Sequence, residues 1–119
     1  MKLLTPDIRA VMLRNGALRR QIEDSGEGRA DLFPVVKLFT PDGACTWLLT
    51  ELDPDDPDIA FGLCDLGMGF PELGTVRISE LESVRGKLGL PIERDQHFVS
   101  ARGISEHAAE ARALGRINA

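Results

Sequence analysis

Glu93, Asp95 and His97 stand two residues apart in the run PIERDQHFVS, so on an extended strand they would project from one face. Glu51 and Asp53 repeat that spacing in TWLLTELD, and Asp65 closes the following apolar run FGLCD, where it is expected near them across a hairpin. Carboxylate oxygens gathered in this way suit a hard cation such as Mg²⁺ or Mn²⁺, whose charge offsets their mutual repulsion. The spacing therefore predicts a two-strand site in which Glu51, Asp53 and Asp65 serve as metal ligands. Glu93, Asp95 and His97 are its expected catalytic groups, with His97 placed to act as a general base. A metal held there could position a water for phosphodiester hydrolysis. The same alternation of polar residues is also what any half-exposed strand shows, and short matches of this kind are common.

Other chemistries find less support. No Ser-His-Asp or Cys-His set has a recognisable spacing, and His107 falls on a helical stretch where it reads as a surface residue. Cys45 and Cys64 are expected on opposite strand faces, as small core residues rather than as a zinc or redox pair. Gly67, Gly69 and Gly74 lack the Lys-Ser/Thr ending of a phosphate loop and the strand-to-helix setting of a dinucleotide fingerprint, so they read as turn formers.

Charge is distributed unevenly. The chain has 119 residues and a net charge of −5. Residues 38–76 contain eight Asp or Glu and no Lys or Arg, which leaves the remainder at +3 (−5 minus −8). Eleven of the fourteen basic residues are Arg, the side chain that pairs bidentately with carboxylates. Intramolecular pairing of those Arg residues with the acidic stretch is the ordinary expectation. No segment reaches the roughly 20 apolar residues of a membrane span, and the N-terminal apolar run is too short for an export signal. With two cysteines, free thiols and a cytoplasmic location are expected.

The elements that must position these residues follow from the local patterns. Thr5-Pro6-Asp7 starts a helix, with Ile8, Val11 and Met12 at helical spacing and Gly16 as the expected stop. Residues 17–32 are expected to form a flexible loop region broken at Asp24-Ser25-Gly26-Glu27-Gly28. Val35 to Thr40 reads as a strand closed by Pro41-Asp42-Gly43. Cys45 to Asp53 reads as a central strand, with Trp47, Leu49 and Glu51 on one face and Leu48, Thr50 and Leu52 on the other. Pro54 to Asp58 is a hairpin loop, since neither proline can donate to a ladder. Ile59 to Leu66 returns as a third strand, where small Gly62 and Cys64 suggest a closely packed helix. Thr75 to Ser79 makes a fourth strand. A short helix follows, capped by Ser79 with Glu82 at the capping-box position. Ile92 to Ser100 is the expected fifth strand, and Ser105 to Leu114 the last helix. One α+β domain spanning residues 1–119 results, with a mainly antiparallel sheet of about five strands and helices packed on one face.

The phrases LLTPDIRAVMLRNG, PVVKLFTPDG, TWLLTELDPDDPDIAFGLCDLGMGFPELG, VRGKLGLPIERDQHF and AEARALGRI resemble a bacterial family designated domain of unknown function 2958. That resemblance implies a small cytosolic bacterial protein, often carried on plasmids and other mobile genetic elements. Some members bear the label of single-stranded DNA endonuclease, and the resemblance brings no established catalytic residues with it. Two functional classes follow. One is a metal-dependent single-stranded DNA endonuclease or DNA-binding protein, with Arg77, Arg85, Arg94, Arg102, Arg112 and Arg116 as a possible groove. The other is a non-enzymatic acidic protein-binding module that modulates a host defence or replication protein, imitating a nucleic-acid backbone with its carboxylates.

Overall fold

In the computed structural model, which describes residues 2–26, 28 and 30–119, Thr5 caps the first helix by accepting the Ile8 N–H on its hydroxyl at 3.1 Å. Helix α1 (Pro6–Asp24) has Pro at its first position and Asp7 in its first turn, both favourable where N–H groups are unpaired. It does not stop at Gly16. The glycine is buried mid-helix because a Cβ there would lie 2.0 Å from the Leu52 carbonyl oxygen, so its role is close approach to the sheet. The expected loop over 17–32 is therefore helical as far as Asp24, and Glu27 and Arg29 of that loop lie outside the described residues.

The sheet comprises β1 (Val36–Phe39), β2 (Thr46–Leu52), β3 (Ile59–Asp65), β4 (Glu72–Arg77) and β5 (Glu93–Arg94). Its order is β4-β3-β2-β1-β5, and every adjacent pair is antiparallel. The α+β class and the five-stranded antiparallel sheet agree with the sequence patterns. Helix α2 (Ile78–Ser83) follows β4 directly, and α3 (Ile104–Leu114) ends at Gly115 in the left-handed conformation, φ 76°.

Helices cover both faces rather than one. Met12 of α1, Ile78 and Leu81 of α2, and Leu3 and Leu4 pack with Val36, Leu38, Trp47, Leu49, Leu52 and Ala60 of the sheet. On the other face Ile104, Ala108 and Ala111 of α3 pack with Leu48 and Leu63. The reason lies in β2, whose alternate residues are apolar on both sides, so one covered face would have left Leu48 in water.

A register shift between Leu49 and Glu51 inserts Thr50 as an extra residue in β2. Beyond this bulge the alternation inverts, and Leu52 joins Trp47 and Leu49 instead of Leu48. Gly62 answers the same irregularity, since a Cβ on it would lie 2.0 Å from the Leu48 carbonyl oxygen. The neighbour that requires a small residue is thus strand β2, not a helix. The Trp47–Cys64 pairing also brings Cys64 to the face that carries Cys45, and both free thiols pack against the same core. Burial pushes the Cys64 thiol up to about 11, which keeps it protonated.

Two boundaries differ from the sequence patterns. The N-cap of α2 is Arg77 with no side-chain cap bond of its own, and Asp58 of the hairpin loop caps the helix instead. It accepts the Ser79 N–H at 2.9 Å and the Ser79 hydroxyl at 2.6 Å. Glu82, free of the capping box, accepts the Leu3 N–H at 3.0 Å. Strand β5 ends after Arg94, because Asp95 folds back to accept the His97 N–H at 2.9 Å, a local bond that competes with strand pairing.

Candidate functional site

The bulge in β2 builds the first candidate region. It frees the Thr50 carbonyl, which accepts the Asn15 side-chain amide of α1 at 2.9 Å. It also brings Glu51 opposite Phe61 and within reach of α1, where the Arg19 guanidinium pairs with it. Thr50 donates its hydroxyl to the other Glu51 oxygen at 2.7 Å. Arg19 lies over the Phe61 ring, 5.0 Å from its centroid, a cation–π arrangement that fixes the guanidinium plane. Beside them opens a cleft of about 440 Å³, with Pro54, Ile59 and Phe61 among its apolar lining and Arg20, Glu23 and Asp53 among its charged lining.

Glu51 and Asp53 thus share one cleft, but each is held by an arginine or by backbone. Asp53 accepts the Asp55 N–H at 2.8 Å and sits 3.4 Å from Arg20. Asp65 is elsewhere. Antiparallel pairing sets it against Thr46, at the opposite end of the β2–β3 hairpin from Glu51 and Phe61. It is buried and accepts the Gly67 N–H at 2.8 Å and the Ile117 N–H at 2.9 Å. Those two bonds tie the β3–β4 turn to the end of the chain beyond α3.

Glu93, Asp95 and His97 line a second cleft, of about 610 Å³, between β5 and the β1–β2 turn, together with Lys37 and Arg94. They do not share a strand face, since the strand ends at Arg94 and the chain turns at Asp95. Asp95 lies 3.8 Å from the Lys37 ammonium. Among the described residues no three His, Cys, Asp or Glu side chains converge on a position for a metal ion.

The acidic stretch is answered from within the chain. Arg19 holds Glu51, Arg20 holds Asp53 and Asp55, and Arg77 holds Asp56 and Asp58. The arginines expected to line a nucleic-acid groove are dispersed. Arg77 ends β4 and Arg94 lies in β5, on opposite edges of the sheet, which four strand spacings separate by roughly 19 Å. Arg94 donates to the Leu3 carbonyl, and Arg102 pairs with Glu110 at 2.7 Å.

Two features lay outside the sequence patterns. His107 is buried rather than on the surface, with Nε2 2.8 Å from the Ser100 hydroxyl. The long strand expected over Ile92 to Ser100 concealed this contact, which exists only because the chain turns at Asp95. The β3–β4 turn also exposes large apolar side chains: Leu66 at 53%, Met68 at 69% and Phe70 at 81%. Leu114 of α3 is exposed beside Gly115, where an added Cβ would lie 3.7 Å from the Gly69 carbonyl oxygen. The GMGFPELG composition shows the turn, while the Asp65–Ile117 bond that ties it to the segment after α3 joins residues 52 apart and has no local pattern.

Comparison with curated proteins and with solved structures returned no match. A family model does match, over residues 3–118 and hence nearly every element described above: the chain belongs to the family of proteins of unknown function DUF2958.

Proposed function

We propose that the protein acts as a protein-binding module that docks through its β3–β4 turn. The observation that carries this reading is Phe70, 81% exposed on a turn pinned by the two Asp65 hydrogen bonds. Exposed large apolar residues grouped on an ordered surface mark contact sites, and aromatic and Met side chains are the usual anchors. Asp65 limits the ordering entropy that a loose loop would lose on binding. The excess of carboxylate over basic charge then favours a partner with a basic rim, such as a host defence or replication protein with a nucleic-acid site. Affinity capture with immobilised protein tests this directly. A partner retained by wild type and by Val99→Asp, but lost by Phe70→Asp, supports the turn as the docking surface. Equal retention by Phe70→Asp removes it.

A second reading, Mg²⁺- or Mn²⁺-assisted action on single-stranded DNA, draws on the cleft that Glu93, Asp95 and His97 line beside Lys37 and Arg94. Mg²⁺ is commonly held by one or two carboxylates with substrate phosphates completing its shell, so a full protein cage is not required. Metal-dependent cleavage of labelled single strands, lost in the Glu93→Ala, Asp95→Ala double variant and in EDTA, is its expected outcome. Equal cleavage by wild type and variant excludes this cleft.

A further inference from the structure

All five serines donate their hydroxyls to a carboxylate or a nearby backbone carbonyl: Ser25 to Ile22, Ser79 to Asp58, Ser83 to Glu80, Ser100 to Arg102 and Ser105 to Asp31. Ser100 alone meets an imidazole as well, with Oγ 2.8 Å from His107 Nε2, within the reach a general base needs. Both side chains line a third cleft, of about 440 Å³, with His97, Phe98 and Arg102 among its other lining residues. That size suits a small organic ligand.

The pair is built in place by the fold. Ser100 lies in the turn before α3, where the Arg102 N–H donates to Oγ at 3.3 Å and Oγ donates to the Arg102 carbonyl at 3.0 Å. His107 lies one turn into α3, and the start of that helix is fastened twice to the segment before β1. The Ile104 N–H donates to the Leu32 carbonyl at 2.8 Å, and Asp31 accepts both the Ser105 N–H at 3.0 Å and the Ser105 hydroxyl at 2.6 Å. Burial, and then the charge of Arg102, hold the His107 imidazole below its ordinary value, against the opposing pull of Glu110 and Glu106. The ring is neutral near pH 7, as a base must be.

We propose that Ser100 and His107 form a nucleophile–base dyad that acts on a small carboxylic ester bound in this cleft. Ser100 Oγ attacks the acyl carbon while its proton passes to His107 Nε2. The ester C–O bond then breaks, and the leaving alkoxide takes the proton from His107 to depart as the alcohol. Water, deprotonated by the same nitrogen, attacks the acyl-serine, and the carboxylic acid is released with Ser100 restored. The site is separate from the Phe70 turn and does not depend on a docking role.

The test is labelling by a fluorophosphonate probe, read by peptide mass spectrometry on the full chain. The expected result is modification at Ser100 and at no other serine, with labelling abolished in Ser100→Ala. In His107→Gln the labelling rate should fall by about 100-fold or more, the usual contribution of a general base. Because that variant loses a buried partner, Ser100→Cys provides an independent readout. Its thiol should alkylate with a pH dependence displaced well below that of an ordinary cysteine, through pairing with His107. Absence of Ser100 labelling in wild type, or an ordinary thiol titration in Ser100→Cys, overturns the proposal and leaves the contact a packing hydrogen bond.

Discussion

Replacing Gly16 by alanine would set a methyl carbon 2.0 Å from the Leu52 carbonyl oxygen, an encounter with backbone that no rotamer change relieves. Overpacking of this kind costs about 1–3 kcal/mol and occasionally more, so Gly16→Ala should lower the urea midpoint clearly. Gly74, which has nothing within 4 Å of an added Cβ, is its control. Gly74→Ala should stay within about 0.5 kcal/mol of wild type. A sequence shows both as glycines in mixed polar and apolar stretches. Whether one ends a helix or admits a strand is decided by the Leu52 carbonyl, distant in sequence, which is why Gly16 read as a stop. His107 carries a second prediction. Because its folded value is depressed below 6.5, the unfolded chain takes up the proton first as pH falls. Stability should therefore decline as pH drops below about 6.5 and level off below the folded value. Asp31, held below 3.8 by the Ser105 hydroxyl and amide, adds a loss that begins only below 3.8. Thermal melts should show the upper step in wild type and not in His107→Gln, while both retain the lower one.

Helix α2, at six residues, is too short to persist on its own propensity and takes its start from another element. Asp58, in the β2–β3 loop, accepts two Ser79 hydrogen bonds, and its backbone carbonyl accepts the Ile78 N–H at 2.9 Å. Asp58→Ala should cost about 1 kcal/mol, as loss of an N-cap does. Ser79→Ala should cost less, since the backbone bond to Asp58 survives. Chemical denaturation of the two variants separates this cap from a Ser79–Glu82 capping box, which would make Ser79 the costlier loss. Elements with strong local grammar were legible in sequence: the start of α1 at Thr5-Pro6, the Pro-rich hairpin loop, β3, and α3 with its terminal glycine. Those set by distant partners were not. The continuation of α1 to Asp24 and the β2 bulge held by Asn15 depend on bonds between separate segments, while β5 ends early on a local bond, Asp95 to the His97 N–H, that the strand alternation concealed. The candidate carboxylates suffered the same limit. Their alternation along each strand is visible, but the antiparallel register that parts Asp65 from Glu51 is not.

At the scale of the whole molecule, β2 is covered on both faces and paired on both edges, with Leu48, Leu49 and Leu52 fully buried. Leu49→Ala should cost about 2–5 kcal/mol by the usual measure for buried leucines. Amide exchange should run slowest in β2 and in β3 and fastest in the two-residue β5, following depth in the sheet. Measured by mass spectrometry or NMR, a more protected β5 would contradict this hierarchy. The N-terminal segment is held by what lies near the other end of the chain. The Leu3 N–H reaches Glu82, 79 residues on, and the Leu3 carbonyl receives Arg94, 91 residues on. During synthesis, Leu3 and Leu4 must therefore wait, apolar and unsheltered, until the chain through Arg94 has left the ribosome, so the main core closes only after β5 has emerged.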